Sequence, residues 1–121
     1  MGFPKMSAPV IASQKFFGLL ELDADGTVLY SRIERDADWH QPARNITGRN
    51  FYSDVAPFRN VEEFHRCLDN FSRSSQPANT IPFTCQYEDG PVLVKVLLAR
   101  VRERSDHELK KSILVHIRKV L

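Results

Sequence analysis

The spacing of apolar residues predicts two strands at the start of the regular part of the chain. Residues 17–23 form an apolar run that ends in an Asp- and Gly-rich turn sequence at residues 23–26. Residues 27–33 then resume with β-branched and aromatic side chains. Two such runs around a short Asp/Gly turn are typical of an antiparallel hairpin. The sequence therefore predicts a β-hairpin over residues 17–33.

Between residues 34 and 60 the hydrophobic pattern has no sustained period. Single apolar residues are separated by polar ones, and Pro42, Gly48 and Pro57 interrupt any long helix. Short helical turns that each bury one side chain fit this pattern. Irregular segments of this kind commonly line a pocket.

A helix is predicted from residue 61 to about Arg73. Four apolar residues between positions 61 and 71 recur at the three- and four-residue spacing of one helix face. Asn60 is a favourable capping residue, and Glu63 stands three residues later, as in a capping box. The sequence therefore predicts that the Asn60 side chain caps this helix.

The last third of the chain predicts three strands. Apolar and polar residues alternate over residues 81–87, residues 92–101 are apolar on both faces, and residues 112–120 resume the alternation. The charged stretch 102–111 is predicted as a solvated loop. This order of elements predicts an α+β domain, with a five-stranded antiparallel sheet and helices gathered on one side.

Length and composition indicate one domain preceded by an arm. The chain has 121 residues, of which 42% are hydrophobic and 26% charged, enough for one core of moderate size. Residues 1–16 show no clean period and are predicted as an N-terminal arm, with the domain over residues 17–121. Because no apolar run is long enough to span a bilayer and no signal-peptide pattern is present, we expect a cytoplasmic protein without a membrane partner.

Charge and motifs argue against several functions. The net charge is +2, and the basic residues between positions 100 and 119 are interleaved with Glu103, Asp106 and Glu108, so no nucleic-acid partner is expected. Neither a nucleophile triad nor a glycine-rich phosphate loop occurs, so no enzyme activity is expected. Cys67 and Cys85 lack metal-type spacing and are interpreted as free thiols.

Residue identities add a family resemblance. The run GRNFYSDVAPF at residues 48–58 resembles a run in the photoactive yellow protein branch of the PAS domains. The resemblance extends over residues 17–120. It includes Phe17-Gly18, Leu22-Asp23, Asp25-Gly26, Glu63-Phe64, Val94-Lys95-Val96 and the last strand. It implies the PAS fold and a sensory role in bacterial signalling.

The same resemblance implies that the light chemistry of the branch is absent here. In the branch, a cysteine binds a p-coumaroyl chromophore as a thioester, and a tyrosine, a protonated glutamate, a threonine and an arginine surround it. In an ungapped comparison these positions hold Phe58, Ser31, Arg35, Trp39 and Gln41, respectively. We therefore expect no p-coumaroyl chromophore.

Two interpretations of the old chromophore region stay open. Either its residues form a close-packed core in which Phe58 fills the space of the chromophore, or they line a pocket for a small ligand or haem. The candidate pocket residues are Ser31, Arg35, Trp39, Ile46, Phe51, Phe58, Phe64, His65, Phe83 and Val96. His65, at the border of the apolar helix face, is the candidate haem ligand, and the filled core without a cofactor or metal is favoured.

The predicted outer face of the sheet indicates an interaction surface. Leu93, Leu97, Ala99 and Val101 fall on one face of an apolar strand and require a cover. The N-terminal arm, a protein partner or a second copy in a symmetric dimer would supply it. The sequence thus favours a sensory and protein-interaction module.

Overall fold

A computed structural model of the chain describes residues 15–34, 45–105 and 108–120. Of the residues discussed above, five lie outside the described residues: Arg35, Trp39, Gln41, Pro42 and Asp106. The predicted arm up to residue 14 also lies outside them. No helix within the described ranges is long and apolar enough to cross a membrane.

The described residues form five strands and one long helix. The strands are β1 (Gly18–Asp23), β2 (Val28–Ile33), β3 (Ala78–Tyr87), β4 (Gly90–Ser105) and β5 (Glu108–Lys119), and the helix is α1 (Val61–Arg73). A single π-helical turn covers Phe51–Val55. The strands pair in the order β2-β1-β5-β4-β3, with every neighbouring pair antiparallel. The predicted α+β PAS fold is confirmed.

The core lies between one face of the sheet and α1. Val94, Val96 and Leu98 of β4 are buried at alternate positions, as the two-residue period of a strand requires. From the helix, Phe64 packs edge-on against Phe83 of β3, with ring centroids 5.2 Å apart. Burial of these apolar side chains is the main force that holds the helix on the sheet.

The prediction of a loop over residues 102–111 is wrong. The ladder between β4 and β5 continues from Arg102 opposite Lys111 to Ser105 opposite Glu108. Antiparallel pairing satisfies backbone amides and carbonyls whatever the side chains are, so charged residues are compatible with a solvated ribbon. Charge alone therefore did not distinguish a paired ribbon from a loop.

The prediction that Asn60 caps α1 is also wrong. Asn60 precedes the helix, but its side chain makes no capping hydrogen bond. Instead its Nδ2 donates to the Thr84 carbonyl at 2.8 Å, and the Gln86 amide donates to its Oδ1 at 2.9 Å. The Arg59 amide donates to the Gln86 carbonyl at 2.8 Å. Asn60 thus attaches the start of α1 to the outer edge of β3.

This geometry predicts that Asn60→Ser destabilises the domain by about 1–2 kcal/mol, because serine cannot make both bonds to β3. Serine is as good a helix cap as asparagine, so a capping role would leave stability unchanged. Urea unfolding of this variant measures the difference. The control is Asn70→Ser on the exposed face of α1, and equal midpoints for Asn60→Ser and the native chain would refute the bridging role.

The turn between β1 and β2 is held by side chains on both sides. Asp23 Oδ1 accepts hydrogen bonds from the amides of Asp25 and Thr27, each at 2.9 Å. Asn50 Nδ2 donates to the Asp25 carbonyl at 2.9 Å. Gly26 has φ +91°, and a Cβ on it would lie 2.5 Å from Cε2 of Tyr52. The β1–β2 turn therefore packs closely against the π-helical turn.

Gly26→Ala is therefore expected to destabilise the domain more than Gly48→Ala. Both glycines have positive φ, +91° and +89°, but nothing lies within 4 Å of a Cβ built on Gly48. Gly48→Ala should cost about 1 kcal/mol of backbone strain, and Gly26→Ala at least about 1 kcal/mol more, from the clash with Tyr52. Chemical unfolding of the two variants measures both losses of unfolding free energy. Equal losses would contradict the close contact between Gly26 and Tyr52.

Candidate functional site

Phe58 lies in the centre of a cluster of aromatic rings. Its side chain is only 3% exposed. Its ring centroid is 6.4 Å from that of Phe51, 5.4 Å from Phe64, 6.0 Å from Phe83 and 6.0 Å from Tyr87. The contacts with Phe64 and Tyr87 are edge-to-face, the arrangement that aromatic quadrupoles favour. The π-helical turn, α1 and β3 each contribute to this cluster.

Lys15 and Phe16, the first described residues, pack against this aromatic cluster. Phe16 is 6% exposed, and its ring meets that of Phe51 edge-on at 5.7 Å. Its amide donates to Tyr87 Oη at 2.9 Å. Lys15 Nζ lies 2.7 Å from Asp89 and 4.9 Å from the Tyr87 ring centroid. Phe16, assigned to the arm by its sequence, thus belongs to the core, while the division of the chain at residue 16 stays a prediction.

The structure brings six of the ten candidate pocket residues together. They all belong to one buried core: Ile46, Phe51, Phe58, Phe64, Phe83 and Val96. Ser31 is half-buried on β2 opposite Leu20, and two other candidates lie outside the described residues. That these side chains fill the space rather than line a ligand pocket stays a prediction.

His65, like Ser31, does not join the core. Its side chain is 46% exposed on α1. Its ring stacks on Tyr52, with centroids 3.8 Å apart and planes at 11°, and its Nε2 is 3.8 Å from Asp69 Oδ1. Burial, and secondarily the Asp69 charge, raise the pKa of Tyr52, so Tyr52 is neutral at physiological pH. Within the described ranges no three His, Cys, Asp or Glu side chains form a metal site.

Neither cysteine has the environment of a reactive thiol. Cys85 is fully buried on β3, and burial raises the pKa of its thiol to about 11, although a hydrogen bond with Tyr87 acts in the opposite sense. Cys67 is a half-buried free cysteine of α1, and burial likewise raises its pKa. Because the thiolate is the nucleophile, both side chains are weakly reactive at neutral pH.

The outer face of the sheet carries exposed apolar side chains. Leu93 is 49% exposed and Leu97 42%, both on β4, and Tyr30 on β2 is 47% exposed. Between them, Ala99 pairs with Leu114 and both are half-buried. We call these five residues the outer apolar patch.

A cleft of about 190 Å³ opens at the opposite end of the helix from Asn60, and sequence reasoning missed it. Its walls come from the β1–β2 turn, Tyr52, the second half of α1 and the β4–β5 hairpin. Arg102 and Lys111, which the prediction placed in a solvated loop, line it. The alternation of basic residues at positions 100, 102 and 104 has the period of a strand and argued against the predicted loop, although it does not by itself indicate a cleft.

Comparison with known proteins gives a consistent assignment. No protein-family model matches the chain. The chain is 32% identical over 85 residues to photoactive yellow protein of Halochromatium salexigens, covering 69% of this chain and 67% of that protein. It is 29% identical over 85 residues to photoactive yellow protein of Rhodothalassium salexigens, with the same coverage. It is 31% identical over 81 residues to that of Cereibacter sphaeroides, covering 66% and 64%.

The sequence similarity to these proteins and the five-stranded antiparallel sheet with helices on one side support the same family assignment. The chain belongs to the photoactive yellow protein family.

Proposed function

We propose that this domain is a PAS-type sensory module that carries no thioester-linked chromophore and acts through protein contacts of its sheet. Family membership supports the sensor fold. In this role the old chromophore region is a packed part of the core, and the outer apolar patch makes the contacts with partner proteins. Catalysis is no part of the proposed role.

The observation that carries the proposal is the position of Phe58 among four aromatic rings. The family resemblance aligns this residue with the chromophore cysteine. A thioester needs a sulfur nucleophile, and a phenyl ring offers none. A ring that contacts neighbours on several sides also occupies volume that a bound aromatic acid would need.

The two cysteines supply no substitute attachment point in this proposal. Cys85 is fully buried and Cys67 lies on α1 with a raised thiol pKa. Both are poor nucleophiles in the folded chain. Loss of the attachment residue is therefore not compensated by a thiol elsewhere in the sequence.

Acylation with an activated ester of p-coumaric acid tests this part of the proposal. Both cysteines of the folded chain are expected to remain unacylated, as measured by peptide mapping. The urea-unfolded chain, in which Cys67 and Cys85 are accessible, serves as the control for the reagent and should carry an acyl group on each cysteine. Acylation of either cysteine in the folded chain, together with a new visible absorption band, would overturn the proposal.

The outer apolar patch supports the interaction role. Leu93, Leu97 and Tyr30 are each between 42% and 49% exposed on one face of the sheet. Apolar groups grouped on an exposed sheet face gain free energy when a partner removes them from water. A change in core packing would reach this face directly, because inward and outward residues alternate along the same β4 strand.

Site-specific crosslinking tests the interaction role. A photo-reactive amino acid in place of Leu97 should yield a crosslinked product in the native cells, and its mass tells a second copy from a different protein. The same amino acid in place of Arg66, on the exposed face of α1, is the matched control. No product at position 97, or equal products at both positions, would contradict a role for this face.

A further inference from the structure

The cleft beside the β4–β5 hairpin has the composition of a small binding site. Leu22 and Leu68, which are 1% and 2% exposed, and half-buried Ile113 provide an apolar floor. None of the eight candidate pocket residues that the structure describes lines it. Most of the other lining residues are polar or charged, so the cleft offers an amphipathic ligand both an apolar floor and charged walls.

Two opposed positive charges stand at the rim. Arg102 and Lys111 lie directly opposite each other in the β4–β5 ladder, and both line the cleft. Like charges at directly opposite positions destabilise an antiparallel pair. Among the side chains that the structure describes, which do not include those of residues 103–110, no carboxylate forms a salt bridge with either one. An anion bound between them would remove this repulsion.

The other charged groups of the cleft are engaged elsewhere. The Arg100 guanidinium donates to carbonyls at the end of α1. Asp23 accepts amide hydrogen bonds of the β1–β2 turn, and Asp69 faces His65. The groups left to meet a ligand at the hairpin wall are therefore Arg102 and Lys111.

We propose that this cleft binds a small organic anion, whose charged group is held by Arg102 and Lys111 and whose apolar part lies over Leu22 and Leu68. Opposed basic residues alone do not make such a site. Lys95 and Arg118 also form a directly opposed pair in the same ladder, but they do not line the cleft. The apolar floor distinguishes the Arg102–Lys111 pair. This inference is independent of Phe58 and of the outer apolar patch.

Titration of the ¹⁵N-labelled chain with sodium benzoate, followed by amide chemical shifts, tests the site. Saturable shifts are expected at Arg102, Lys111 and Tyr52. Benzamide, which has the same shape without the charge, should leave these amides unshifted, and sodium chloride at equal ionic strength is the salt control. Absence of saturable benzoate shifts at the cleft, or equal binding of benzamide, would overturn the proposal.

Variants with matched controls assign the binding to the named residues. The double variant Arg102→Gln/Lys111→Gln should weaken benzoate binding at least about tenfold, because both charge-assisted contacts are lost. The double variant Lys95→Gln/Arg118→Gln should bind as the native chain does. Asp69→Asn should bind benzoate as tightly or more tightly, since it removes a negative charge from the cleft.

Thermal unfolding gives a second readout that does not depend on chemical shifts. Benzoate is expected to raise the Tm of the native chain and of the Lys95→Gln/Arg118→Gln variant, since a ligand that binds only the folded state stabilises it. It should not raise the Tm of the Arg102→Gln/Lys111→Gln variant. If benzoate raised the Tm of that variant as much as that of the native chain, the assignment of Arg102 and Lys111 to the anion site would be refuted.

Discussion

Replacement of Phe58 by alanine is expected to lower the free energy of unfolding by about 3–5 kcal/mol. The Phe58 side chain is almost fully buried and contacts four other aromatic rings. Its truncation removes apolar burial and leaves a space that rings fixed on three different elements cannot easily close. Urea or guanidinium unfolding, monitored by circular dichroism, measures the loss.

The matched control is Leu93→Ala. Leu93 is also a large apolar residue, but it is 49% exposed on the outer face of the sheet, so its truncation should change stability by less than about 1 kcal/mol. Similar effects of the two substitutions would mean that Phe58 does not fill the core. Phe58→Leu, which keeps more of the volume, should fall between native and Phe58→Ala.

The second large effect is expected from Arg100→Gln, with a loss of about 2–3 kcal/mol. The Arg100 guanidinium donates to the carbonyl oxygens of Phe71, Ser72, Ser74 and Gln76 around the end of α1. The last carbonyls of a helix have no partners within the helix, and the negative end of the helix dipole favours a cation there. Arg100 also lies over the Phe71 ring, 4.9 Å from its centroid.

Arg102→Gln is the control for this effect. Arg102 lies two residues further along β4 and is exposed, with Lys111 opposite. Its neutralisation relieves repulsion between the two side chains, so it should leave stability unchanged or raise it slightly. Amide hydrogen exchange in the last turn of α1 should accelerate in Arg100→Gln but not in Arg102→Gln. Equal exchange rates in the two variants would contradict the role of Arg100 in holding the end of α1.

The fold was largely predictable because its signals are periodic. Buried Val94, Val96 and Leu98 alternate as a strand requires, and Phe64, Leu68 and Phe71 repeat as a helix requires. The extent of β4 and β5 was not predictable in the same way. Their distal parts, residues 102–105 and 108–111, contain few apolar residues, so hydrophobic periodicity gives no information about their backbone pairing.

Specific hydrogen-bond partners were beyond the reach of local sequence rules. Asn60 satisfies the local pattern of a helix cap, but its amide reaches Thr84 and Gln86, which are distant in sequence. An asparagine side chain can donate and accept at once, so a strand edge with both kinds of group competes with the helix end. Only the tertiary arrangement decides this competition.

The candidate site was predictable to the extent that it coincides with the core. Ile46, Phe51 and Phe58 were recognised because apolar residues in irregular segments must be buried somewhere. Phe83 was recognised because it falls on the apolar face of an alternating strand. The cleft was not found, because it depends on the juxtaposition of Tyr52 with Lys111. Residues so far apart in sequence give no common periodic signal.

We propose that this member of the photoactive yellow protein family carries no covalently attached chromophore, because the family resemblance aligns Phe58 with the attachment cysteine. The most direct test is the intact mass and absorption spectrum of the protein purified from its native cells. We expect a mass equal to that of the amino-acid sequence and no visible absorption band. Additional covalent mass on Cys67 or Cys85, accompanied by a visible band, would contradict it.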